Sequence, residues 1–221
     1  MTRDDAVTDF FALIRSGELD RVRFLLGADP SLASAKNQAG VSAILTSVYS
    51  GRKEIRDLLL ASGAILELQD AVAVGDLARV EEIVGKNPHA AKSFSADGFP
   101  IVALACAFGH FSVAKFLAEQ GADVNASATN GTGYNALTGA VAGGHEEIAG
   151  WLLRSGASAN YRYGAGHTPL LTAAANGRLD LVKLLLAHGA DASLRTDDRK
   201  SALDLARERK HAALAEFLEN R

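Results

Sequence analysis

Apolar residues recur along this chain in short amphipathic stretches, not in long runs. In "RLDLVKLLLAH", Leu181, Val182, Leu184 and Leu185 share one face at helical spacing. "HEEIAGWLLRS", "HFSVAKFLAEQ" and "RKEIRDLLLAS" repeat the pattern, and each predicts a helix of about three turns. Glycines bracket these stretches at a fixed separation of twelve residues: Gly51 and Gly63, Gly109 and Gly121, Gly144 and Gly156, Gly177 and Gly189. Two more pairs keep the spacing with a substitute, Gly17 with Asp29 and Gly75 with Asn87. Asp and Asn tolerate a left-handed backbone better than most residues, so all six pairs are expected to close helices with left-handed caps. Pro30 and Pro88 follow the two substitutes, where a helix cannot continue.

A partner helix is predicted upstream of each first glycine. In "TPLLTAAANG" the Thr168 hydroxyl suits an N-cap and Pro169 the first helical turn. Ser42, Asn135 and Ser201 occupy matching cap positions, and Pro100 is the exception. These helices are rich in alanine (Ala103, Ala105, Ala107, Ala140, Ala142, Ala173, Ala174), so neighbours can approach closely.

A unit of about 33 residues, two antiparallel helices and a turn, closely resembles the ankyrin repeat, with "HTPLLTAAANGRLDLVKLLLAHGADA" at its centre. The pattern is strong over 97–196 and weaker on both flanks, as terminal caps would be. The resemblance implies an all-α ankyrin-repeat solenoid with short β-hairpin fingers, forming one domain over 1–221. About seven units are expected, near 4–38, 39–65, 66–96, 97–129, 130–163, 164–196 and 197–221. The histidine of the family's Thr-Pro-Leu-His signature is absent: Leu45, Ala103, Thr138, Leu171 and Asp204 stand there. Only 12 residues separate Gly63 from Gly75, against 21 to 23 elsewhere, so one finger is expected to be missing between units two and three. Residues 17–64 also align with 75–122 at a constant offset of 58, which makes the first two units look like a duplicate of the next two.

Composition narrows the function. With 23 basic against 26 acidic residues and no long run of one sign, the composition argues against nucleic acid or an anionic membrane as the main partner. No apolar run approaches the roughly 20 residues that span a bilayer. "MTRDDAVTDFFALIRSG" lacks a secretory apolar core, and the lone Cys106 forms no internal disulfide, so a cytoplasmic, monomeric protein is expected. Cys106 falls on an apolar helical face, and Trp151 aligns with core positions Leu58, Phe116 and Leu184. His110 and His145 hold equivalent places in adjacent units, too far apart to share an ion. No nucleophile and base set, phosphate loop or carboxylate pair can be assembled. The expectation is a non-enzyme with no metal, cofactor or small-molecule substrate; an enzyme built on His110, His145 or Cys106 is the more distant alternative.

The fingers vary from copy to copy, as partner-facing residues do in a solenoid. "NASATNGTGY" ends at Tyr134, and "ANYRYGAGH" carries Tyr161, Arg162, Tyr163 and His167, with Phe99 flanking the preceding finger. Tyrosine and arginine dominate binding hot spots. The resemblance and these residues together suggest a protein-protein interaction scaffold, its partner held on the concave finger and inner-helix surface by Phe99, Tyr134, Tyr161, Arg162, Tyr163 and His167. An inhibitor or chaperone dedicated to one neighbouring enzyme is the second reading. The plainer alternative is that the fingers pack only on one another.

Overall fold

A computed structural model describes residues 3–220. Its described residues hold fourteen α-helices in seven pairs: α1 (Arg3–Ser16) with α2 (Leu19–Ala28), α3 (Ala43–Tyr49) with α4 (Lys53–Ala61), α5 (Leu68–Val74) with α6 (Leu77–Lys86), α7 (Ile101–Ala107) with α8 (Phe111–Glu119), α9 (Ala136–Gly143) with α10 (Glu146–Arg154), α11 (Pro169–Ala175) with α12 (Leu179–Ala187), and α13 (Ala202–Glu208) with α14 (Ala212–Glu219). The chain forms two compact units, one of residues up to 90 with 95–97, the other of 91–94 with 98 onward. In the first, α1 packs on α3 and α3 on α5 around Phe10, Phe11, Ile14, Val22, Ile44 and Leu59. In the second, α7, α9, α11 and α13 stack in order, burying Leu104, Leu137, Leu170 and Leu205. The fold is the all-helical repeat that the spacing predicts.

Cap chemistry follows the sequence closely. Ser42, Asn135, Thr168 and Ser201 each accept from the backbone N–H three residues on, at 2.9, 3.0, 3.3 and 3.2 Å. Pro100 starts α7 without a side-chain cap. Thr138, Asp204 and Asp70 complete the reciprocal bond, accepting from the N–H of Asn135, Ser201 and Glu67 at 2.8, 2.9 and 3.1 Å. Thr138 and Asp204 stand where the family's histidine is missing, so these two units close their own helix starts without it.

The helix ends divide into two kinds. Every inter-helix glycine, from Gly17 to Gly177, has a positive φ, as do Gly63, Gly121, Gly156 and Gly189. Between α13 and α14 Lys210 takes the same left-handed backbone, with φ 62°. Asp29 and Asn87 do not: their φ values are −140° and −143°, which is extended backbone. The expectation of left-handed caps there fails because a following proline drives its predecessor out of helical geometry. Each instead opens a 3-10 turn, Pro30–Ser34 and Pro88–Lys92, and Asp29 Oδ1 accepts from Ser31 N at 3.0 Å. The 58-residue offset survives throughout, since α2, α3 and α4 recur 58 positions later as α6, α7 and α8. Between α4 and α5 only residues 62–67 intervene, and no bridge closes a finger there.

A single side-chain position ties successive units together. At Arg52, His145, Arg178 and His211 the residue after the left-handed turn reaches back to a carbonyl at the end of the preceding unit's first helix, whereas Asp76 in the same position caps α6. Arg52 donates from Nε and Nη2 to Arg15 O at 3.1 and 3.0 Å. His145 Nε2 meets Ala107 O at 3.0 Å, Arg178 Nη2 donates to Gly144 O at 2.8 Å, and His211 Nε2 meets Ala175 O at 3.0 Å. A carbonyl only accepts, so both imidazoles carry their proton on Nε2. The donor lies over the left-handed residue, and a Cβ on Gly144 would stand 1.7 Å from Arg178 Nη1.

Gly144→Ala is therefore expected to lose about 1–2 kcal/mol to left-handed strain at φ 78°, plus the displaced Arg178 bond. Arg178→Ala alone is expected to cost about 1 kcal/mol. Urea titrations of both variants and of the double variant should give a double loss smaller than the sum, since each change removes the same hydrogen bond.

Candidate functional site

The second compact unit brings the finger residues together. Phe94 bridges Pro100 and Tyr163 bridges His167, so each of these two fingers is closed at its base by one antiparallel bridge. Tyr163 N donates to His167 O at 3.0 Å. The aromatic rings then form one connected row. Phe99 meets Tyr134 edge-on at 6.3 Å, Tyr134 meets Tyr163 at 5.1 Å, and Tyr163 stacks on Tyr161 at 6.4 Å with 13° between planes. His167 closes the row, 6.2 Å from Tyr163. Such pairs contribute about 0.5–1.5 kcal/mol each beyond burial, so the row is held rigidly.

Its members are not equally accessible. Tyr163 is only 9% exposed, and its hydroxyl bonds the Thr172 hydroxyl of α11. Burial pushes that phenol up to about 12 despite the Thr172 bond, so it stays neutral. Tyr161 is half-buried; its hydroxyl donates to Gly133 O at 2.9 Å and lies 2.7 Å from Ser127 Oγ. Phe99, Tyr134 and His167 are half-buried, and Arg162 is exposed. Arg162 donates to Arg195 O at 3.1 Å and pairs with Asp197 at the same distance. These aromatics thus have a structural duty that the sequence did not reveal, because their hydrogen-bond partners lie on other fingers and on α11.

Two family models match the chain, ankyrin repeats (3 copies) over residues 68–163 and ankyrin repeats (many copies) over 152–206. Together they span 68–206, more than half of the 221 residues. The chain belongs to the ankyrin repeat family. Among curated proteins none matches it. Ankyrin repeats are generally protein-protein interaction modules and typically non-catalytic.

The remaining candidates for chemistry occupy ordinary positions in an ankyrin unit. Cys106 is buried on α7, and desolvation pushes its thiol up to about 12, far from the thiolate a nucleophile needs. His145 is committed to Ala107 O, and among the described residues no three His, Cys, Asp or Glu side chains gather to hold a metal ion. Trp151 is half-buried against Phe111 at 5.5 Å, so the core position expected for it is a seam between α8 and α10. No helix among the described residues is long and apolar enough to cross a membrane.

Asp70 lies in the first turn of α5, after the short 62–67 link. It is buried, accepts from Ser42 Oγ at 2.5 Å, and so joins the cap of α3 to the cap of α5. Nearby Lys36 pairs with Glu67 at 2.7 Å. Burial raises the Asp70 carboxyl above its ordinary 3.8, outweighing the Ser42 and Glu67 hydrogen bonds that favour the charged form.

Two outcomes follow. Native Cys106 should resist a thiol reagent at mildly alkaline pH and react fully in denaturing urea, as followed by absorbance. A raised carboxyl pKa in the fold favours the protonated form, so its contribution is complete below the ordinary 3.8 and fades as pH rises through the folded value. Asp70→Asn should therefore gain stability relative to the parent chain as pH climbs from acid toward neutrality. Urea midpoints measured across that range will show it.

Proposed function

We propose that this ankyrin protein is a non-catalytic binding module that seats a protein partner on the face made by Phe99, Tyr134, Tyr161, Arg162, Tyr163 and His167. The observation that carries the reading is the continuous ring row across successive finger bases, with Tyr134 and Tyr161 left half-exposed. Rigid amphipathic rings give large contact area at little entropic cost. Their own packing holds them in place before any partner arrives, which lowers the ordering cost of association. Tyr163 lies beneath and positions the others, while Arg162 stands at the rim, steadied by Asp197. The burial of Cys106 and the engagement of His145 favour binding over catalysis.

The test is capture from source-cell lysate by the parent chain and by a Tyr134→Ala, Tyr161→Ala variant of matched helicity, followed by calorimetry on what is captured. A protein held by the parent should bind the variant more weakly by about 2 kcal/mol or more. Equal affinity for both chains would remove the partner from this face.

A further inference from the structure

The aromatic face surrounds a hollow of about 360 Å³ whose lining includes Tyr134, Tyr163, His167, Thr172, Asn176 and Arg209. Two of these polar side chains are engaged with each other, Tyr163 and Thr172. The other four are not. The Tyr134 hydroxyl, the His167 ring nitrogens, the Asn176 carboxamide and the Arg209 guanidinium make no side-chain hydrogen bond or ion pair among the described residues. Arg162, Arg178, Arg195 and Arg207 of this unit are engaged, with Asp197, Gly144 O, Asp204 and Glu219, whereas Arg154 and Arg199 share the unengaged state of Arg209 but do not line the hollow. No Asp or Glu lines the hollow, so nothing there offsets the charge of Arg209.

This donor set has a definite complement. A guanidinium offers a planar fork of N–H groups, a carboxamide offers two more, and a phenol and a neutral imidazole offer one each. A carboxylate accepts several such bonds at once, and charge-assisted bonds of this kind are the strong ones. The walls are the Tyr134 and Tyr163 rings, which suit an apolar neighbour beside the acid. Resting on the binding face proposed above, we infer that this hollow receives an aspartate or glutamate side chain from a segment of the protein partner, with an apolar residue next to it against the tyrosines. Arg209 and Asn176 supply the fork and the amide, Tyr134 and His167 complete the donors, and Tyr163 holds the wall.

The probe is a phage-displayed library of random dodecapeptides selected on the full chain. Enriched peptides would be measured by fluorescence anisotropy against the parent, Arg209→Gln, and the Tyr134→Ala, Tyr161→Ala variant, all checked for helicity. Enriched peptides should share an Asp or Glu, and its replacement by the amide should lower affinity about tenfold or more. Arg209→Gln should cost the same, and the two changes together should cost little more than either alone. Peptides without a shared acid overturn the inference. Peptides that fail on the tyrosine variant yet ignore Arg209→Gln overturn the acid site while leaving the aromatic face standing. Peptides indifferent to both variants, or no enrichment at all, overturn both.

Discussion

The hydrogen bond from one repeat to the terminal carbonyl of the last is the constraint on which this structure depends. A single helix pair cannot bury its apolar face alone, and each helix leaves its last carbonyls without internal partners. Arg52, His145, Arg178 and His211 answer both needs by reaching across to a carbonyl of the preceding unit. The bond asks only for a donor of suitable reach, so either arginine or histidine serves, while Asp76 at the same position turns to capping α6 instead. It asks more of the residue beneath. A left-handed backbone and a donor lying directly above leave no room for a side chain at Gly144.

That asymmetry explains what was legible in the sequence. The glycine spacing marked the helix ends because glycine is the residue the geometry demands there, and Ser42, Asn135, Thr168 and Ser201 marked the starts for the same kind of reason. Asp29 and Asn87 fit the glycine spacing but each precedes a proline. Proline acts on its predecessor's backbone whatever the periodicity says, and it converted two expected caps into extended residues leading 3-10 turns. Lys210 is the opposite case, a left-handed residue with no glycine to announce it.

The candidate face was half legible. Tyr161, Arg162 and Tyr163 depart from the repeat pattern while Tyr134 and His167 hold matching finger-base positions, and both features are visible on one line of text. What they touch was not visible. Gly133 O, Ser127 and Asp197 come from neighbouring fingers 28 to 35 residues away and Thr172 from the next helix, nine residues on, and none of these pairings has a local signature. Asn176 and Arg209 did leave a trace, since they occupy the same place in successive units, just before the left-handed turn.

The division of labour among the tyrosines bears on how such a face discriminates. Tyr161 and Tyr163 direct their hydroxyls into the protein, which fixes the rings but removes those groups from partner recognition. Stacked rings alone reward any apolar residue and distinguish partners weakly. A site built to donate hydrogen bonds rejects a partner that cannot accept them, because its donors would lose water without replacement. On the proposed reading, selectivity would come from the groups the fold leaves unengaged, which line the hollow beside Tyr134 and His167. On that reading, the stacking that presents the rings also holds Tyr134 and His167 still, so affinity and part of the specificity would have one structural origin.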